Sequence, residues 1–168
     1  LGIKINPFMP KHPRVSQQLY LLTAAKPAEE MATRDQPYYA AGTIQWVSRL
    51  AFEPPLLGVS VGLFSHLNET IDHSGSFTLH LLDQARAHYA ERFAGTNRVE
   101  ENTINGVAFT LKGRALLLEE LPYLHCRLKQ SHRHGDHTLH VGEIIESRAL
   151  PAGWQPLVTA QDELDYHQ

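Results

Sequence analysis

The chain has almost no sulfur with which to cross-link itself: its one cysteine, Cys126, excludes an internal disulfide and fits a reducing cytoplasm. No stretch approaches the roughly 20 apolar residues that span a bilayer. Leu1 to Pro13 lacks the basic start and apolar core of a secretion signal. Charge of one sign is also missing, since a net −3 over 168 residues offers no electrostatic attraction to nucleic acid or to an anionic membrane. No Gly-rich dinucleotide fingerprint, Walker loop or Ser-His-Asp nucleophile motif is present. Proline is absent from the middle of the chain. Seven of ten prolines fall by Pro55 and the next is Pro122, so uninterrupted elements fit between them.

What is present is enough apolar material, 42% of residues, to build one core, and residues 1–168 read as a single domain. Leu19 to Ala24, Tyr38 to Ser48 and Leu56 to Leu63 are rich in β-branched and aromatic residues and read as strands. A polar connection through Lys26-Pro27-Ala28-Glu29-Glu30 follows the first of them. Asn68 is a candidate cap for a short helix that stops at Gly75, and Phe77 to Leu82 returns to strand. Asp83 is a candidate cap for a second helix ending at Gly95, with Ala85, Tyr89 and Phe93 on one face. Thr96 to Asn105 reads as an exposed loop. Val107 to Leu118, Leu121 to Gln130 and Thr138 to Ile145 read as strands, the last two joined by a turn at His132 to Asp136. Alternation with Leu124 and Leu128 places Cys126 in the core. Strands with two short inserted helices, and no βαβ repeat, predict an antiparallel barrel of mainly β, α+β class.

Several groups in this frame can carry chemistry. Ser65-His66-Leu67-Asn68-Glu69-Thr70 follows a strand and opens a helix, where amides and the helix dipole favour a phosphate. Ser65, His66, Asn68 and Thr70 are the candidate donors, though Asn68 and Thr70 equally serve as plain helix caps. Arg92 is a further candidate cation, or a solvated helix charge. Gly135-Asp136-His137 is a tight turn that sets a carboxylate beside an imidazole, as a functional pair or as an ordinary Asx-type turn. His132, His134, His137 and His140 invite a metal, but His137 and His140 are an odd number apart and point to opposite faces of a strand. No metal site is predicted.

Two separated motifs carry more than composition does. Thr43-Ile44-Gln45-Trp46-Val47-Ser48 is followed by Phe52-Glu53-Pro54-Pro55, and Gly135-Asp136-His137 comes some eighty residues later. Ser74-Gly75-Ser76-Phe77-Thr78-Leu79-His80-Leu81-Leu82, Ala90-Glu91-Arg92-Phe93-Ala94-Gly95, Asn105-Gly106-Val107 and Leu124-His125-Cys126-Arg127 fall in order between and around them. From roughly Val15 to Val158 the chain resembles the flavin reductase-like, FMN-binding split-barrel family. The resemblance implies a split β-barrel in Greek-key order with one or two short inserted helices. It also implies FMN as cofactor, NADH or NADPH as co-substrate, and a homodimer with flavin near its interface. Thr43, Ile44, Gln45, Trp46, Val47 and Ser48 would then lie along the flavin, Ser65 to Thr70 would meet its phosphate, and Asp136 and His137 would stand at the nicotinamide end. Common family members carry small Ser or Thr residues where this chain has Gln45, Trp46 and Arg49. In that respect it is similar to flavoredoxin-like members and to the flavin reductase modules fused to flavodiiron proteins.

The function so implied is NAD(P)H-dependent flavin reduction in the cytoplasm, with electrons passed to a flavin or protein acceptor. The alternative is an FMN-binding electron-transfer module reduced by a redox protein partner. A pyridoxamine phosphate oxidase-type barrel is a further alternative.

Overall fold

The structure, a computed structural model, describes residues 17–26 and 38–158. The connection read at Lys26 to Glu30 and the opening segment of the chain lie outside those residues, apart from Lys26 itself. Seven strands make one antiparallel sheet: β1 (Tyr20–Lys26), β2 (Tyr38–Ile44), β3 (Val47–Ala51), β4 (Leu56–Gly62), β5 (Ser76–Leu81), β10 (Tyr123–His134) and β11 (His137–Arg148). Four more, β6 (Val99–Glu100), β7 (Thr103–Ile104), β8 (Val107–Lys112) and β9 (Ala115–Leu118), make a small second sheet. Helix α1 (His66–Ser74) and helix α2 (Ala87–Arg92) are the inserts, the latter led by a 3₁₀ turn at Gln84–Arg86.

The large sheet runs β2-β1-β5-β10-β11-β4-β3, so β2 and β3 are its two outer strands. Only Gln45 and Trp46 separate them along the chain. The three steps from Ile44 to Val47 reach no further than roughly 11 Å, so the sheet has to curl until its outer strands meet at that corner. The barrel is closed there by peptide bonds and not by a ladder. That is the split.

Strand β1 is buried on both faces, which is why its sequence Leu21-Leu22-Thr23-Ala24-Ala25 shows no polar alternation. Leu21 and Ala25 join Phe93, Ile104, Leu116 and Leu118 between the barrel and the small sheet. Leu22 and Ala24 join Ile44, Val59, Phe77 and Cys126 inside the barrel, where α1 adds Leu67 and Ile71. Thr23 donates its hydroxyl to the Leu116 carbonyl at 2.7 Å, so its polar atom costs little in this core. Where the barrel wall is tightest, a Cβ on Gly142 would stand 2.7 Å from both Cys126 Cβ and the Phe77 ring.

Several sequence expectations change in detail. Tyr38 to Ser48 is two strands, because the chain turns the barrel corner at Gln45-Trp46. Val107 to Leu118 is a hairpin about Gly113, since Ala115 to Leu118 must face buried surface at every residue. The cap of α1 is Ser65, three residues before the expected Asn68. Asp83 caps the 3₁₀ turn, and the loop read at Thr96 to Asn105 contains β6 and β7.

Candidate functional site

A cavity of about 410 Å³ opens between the end of β2, the end of β4, the first turn of α1 and the chain after α2. Ser65 builds one wall. Its hydroxyl accepts from the Asn68 amide at 3.1 Å and donates to the Gly62 carbonyl at 2.8 Å, starting α1 beside the cavity. The first turn of a helix presents amides with no internal acceptor and the positive end of the helix dipole, and Ser65, His66 and Leu67 all border the space. The opposite wall is Phe93 to Asn97. It is held by Thr43, whose amide donates to the Phe93 carbonyl at 3.1 Å and whose hydroxyl donates to the Ala90 carbonyl at 2.6 Å. Asn97 acts as a substitute strand residue: its Oδ1 accepts from the Ala41 amide at 2.9 Å and its Nδ2 donates to the Ala41 carbonyl at 2.8 Å.

Beyond the corner, Gln45, Trp46, Val47 and Ser48 border a shallower cleft of about 440 Å³ with Ser60 and Leu139. The Trp46 carbonyl accepts from the Ser60 amide at 2.9 Å, which fixes the corner to β4. Across from it, Gly135 takes φ +60°, a left-handed conformation that suits glycine, and turns β10 into β11. The Asp136 carbonyl receives the Leu63 amide at 2.8 Å, tying this turn to the loop that leads into α1.

His137 Nδ1 lies 2.7 Å from Asp136 Oδ1. That hydrogen bond and the imidazole's charge hold the Asp136 carboxyl below its usual range. A carboxylate only accepts, so Nδ1 carries a proton in this pair. Nε2 is buried and has no partner. An unpaired buried polar atom costs on the order of 1–3 kcal/mol, which makes Nε2 the polar group of the site with capacity to spare. The Trp46 ring centre lies 4.7 Å from that of His137, tilted by 51°.

The fold thus brings Thr43, Ile44, Ser65 and His66 to the cavity, and Gln45, Trp46, Val47 and Ser48 to the cleft beside it. His137, bonded to Asp136, meets Trp46 at the corner. Three candidates point elsewhere. Asn68 is buried, donating to the Leu63 carbonyl at 3.1 Å and meeting His140 Nε2 at 2.7 Å. Thr70 is buried and donates back to the His66 carbonyl at 2.8 Å. The Arg92 guanidinium lies over the Tyr89 ring, near Gly106 and off the cavity wall. The residues that sequence reasoning passed over are Phe93 to Asn97, since nothing in a polar stretch shows that Asn97 will copy a strand's hydrogen bonds.

The chain matches the flavin reductase like domain over residues 13–166. It belongs to that family. Among curated relatives, it is 30% identical over 122 residues to an NADH-dependent FMN reductase of Streptomyces nodosus subsp. asukaensis, covering 70% of this chain and 65% of that one. It is also 30% identical over 96 residues to an NADH-dependent flavin reductase of Rhodococcus sp, covering 56% and 52%. The matched segment thus spans less than two thirds of either relative's length. The fold is that of the NADH:FAD oxidoreductase of Streptomyces globisporus, at a TM-score of 0.75, 18% identity and coverage of 90% and 85%. The flavoredoxin of Methanosarcina acetivorans is similar too, with a TM-score of 0.68, 22% identity and coverage of 96% and 88%.

Proposed function

We propose that this chain is an NADH- or NADPH-dependent flavin reductase with FMN in the cavity at the first turn of α1. The observation that carries this is the adjacency of that helix start to a corner where His137 keeps a buried, unpartnered Nε2. The residues fit a phosphate-bearing flavin. His66 and the amides of the first turn of α1 suit a phosphate dianion, with Ser65 holding that turn in place, while Ile44, Leu67 and Phe93 give the cavity apolar sides. Bound flavin supplies a two-electron acceptor for the hydride of reduced nicotinamide. His137 then stands beside the co-substrate at the corner, and Asp136 holds its ring through Nδ1. The names of the relatives, NADH-dependent FMN and flavin reductases, support the same reading.

The working form in this reading is a homodimer in the cytoplasm that hands its electrons to free flavin or to a redox protein. Support for the dimer comes from β3, an outer strand whose neighbourhood exposes Trp46, Leu50 and Phe52 together. The lone buried thiol of Cys126 suits a reducing compartment, and no helix among the described residues is long and apolar enough to cross a membrane. The deciding experiment follows absorbance at 340 nm with NADH or NADPH and added FMN. Rapid decay supports the reductase. Tight FMN with no turnover from either nucleotide leaves only the electron-transfer module. Light scattering on the flavin-loaded protein reads the dimer, and a monomer mass would remove it.

A further inference from the structure

We propose that Trp46 is the positioning residue for His137, an inference that rests on reading His137 as the co-substrate contact. Asp136 and His137 are neighbours on one turn, yet the Asp136 side chain is 90% exposed and the His137 side chain only 12%. A turn residue next to so open a carboxylate needs something to cover it. The indole of Trp46 does so, with ring centres 4.7 Å apart at 51°. The backbone of Trp46 is held on both sides. Its carbonyl is bonded to the Ser60 amide, and the next amide, Val47, donates to the Gln45 carbonyl at 3.1 Å. The residue occupies the two-residue corner by which the barrel closes.

The consequence lies in the two ring nitrogens. Asp136 fixes the proton on Nδ1, but an exposed pair would rotate and exchange tautomers with water. The indole stands against the ring, and Nε2 is buried and unpartnered. Trp46 therefore acts through His137, by holding one tautomer and one ring orientation, and has no reacting atom of its own to offer.

Histidine-selective ¹⁵N NMR on the flavin-free protein tests this, with the His137 signals assigned by their loss in His137→Ala. At a pH high enough that the ring is neutral, the wild-type protein is expected to give the two separate nitrogen shifts of a ring protonated on Nδ1. Trp46→Ala is expected to average them, and Trp46→Phe, which keeps an aromatic cover, to retain them. In stopped-flow reduction of the FMN-loaded protein, Trp46→Ala is expected to slow the step roughly 5- to 50-fold. In a His137→Ala background the same change is expected to alter the rate less than about twofold, because coupled residues do not add. Unchanged His137 shifts in Trp46→Ala overturn the proposal. So does an equal rate loss with and without His137, which would make Trp46 a direct ligand contact. If the shifts average while neither Trp46→Ala nor His137→Ala slows reduction, Trp46 does position the ring, and what falls is the reading of His137 as a co-substrate contact.

Discussion

His66 stands on the first turn of α1, where a phosphate would sit, while the flavin ring would be bordered by other residues. Its replacement by Ala is expected to weaken FMN roughly 5- to 30-fold and riboflavin less than about twofold, as the loss of about 1–2 kcal/mol from a phosphate contact would give. Fluorescence titration with both ligands measures it, and equal losses would move the phosphate elsewhere. His137 should show the opposite pattern. With FMN held by other groups, His137→Ala is expected to leave its affinity nearly intact and to slow flavin reduction roughly 5- to 150-fold, the range for a lost positioning contact. Reduction rates at saturating and subsaturating nucleotide would settle it, and wild-type rates at both would leave Asp136-His137 a turn and nothing more. These two histidines were legible in the sequence because each sits in a local signal, a helix start or a Gly-Asp-His turn. Asn68 and Thr70 shared the same signal and turned inward, since a nine-residue helix has to bury one face and theirs is that face.

At the scale of the element, what could be read was periodicity, and what could not was the corner. The strands of the large sheet were foreseen except that β2 and β3 were read as one run, Tyr38 to Ser48, because stretches such as Leu56 to Gly62 are largely apolar and carry two valines. The break at Gln45-Trp46 was invisible, as neither residue is a turn former and the break exists only because the sheet curls. Ser65 lost to Asn68 as the expected cap for a similar reason. Both are good caps, and the choice depends on where β4 ends. The meeting of β5, β10 and β11 at Gly142 gives a sharper test. Gly142→Ala would push a methyl against the Phe77 ring and Cys126 Cβ, both fully buried. Overpacking of this kind costs typically about 1–3 kcal/mol. A lowered urea midpoint is therefore expected, with partial recovery in Gly142→Ala combined with Phe77→Leu. The β10–β11 pairing shifts register at His125/Cys126 and again between Leu128 and Gln130, and a midpoint within error of wild type would mean that these irregularities absorb the methyl.

For the molecule as a whole, the buried histidines set how stability answers to acid. His80 is fully buried. Its Nε2 accepts from the Leu118 amide at 3.1 Å, and its Nδ1 lies near the Leu21 carbonyl without reaching full hydrogen-bond geometry. Burial pushes its pKa down to about 3. His125 and His140 are also lowered, chiefly by burial. Above pH 6.5 these rings are neutral whether the chain is folded or not. Below it the unfolded chain gains protons that the folded one refuses, so stability falls as pH falls. His80 alone contributes a slope of about 1.4 kcal/mol per pH unit from 6.5 down toward its folded pKa. Urea unfolding at pH 7.5 and 5.5, where carboxylates stay ionised, is expected to show the acid-side loss. Equal midpoints would mean that the rings take up protons without unfolding.

Gln18 and Val158 form an isolated antiparallel bridge, and the Leu19 amide reaches the Leu157 carbonyl at 2.9 Å. A bond between the flanking residues makes 18 and 158 a non-hydrogen-bonded pair, with Cα atoms about 4.5 Å apart. That spacing is within reach of a covalent staple. Gln18→Cys with Val158→Cys should oxidise readily while Cys126, buried with its thiol pushed up to about 12, stays out of the exchange. The staple would turn nearly the whole described fold into one closed ring. In the chain-entropy estimate, a loop of that size gains roughly 4–5 kcal/mol against unfolding. A large rise in melting temperature that reductant reverses is the expected signature, and no rise would mean that the two segments separate long before the barrel does.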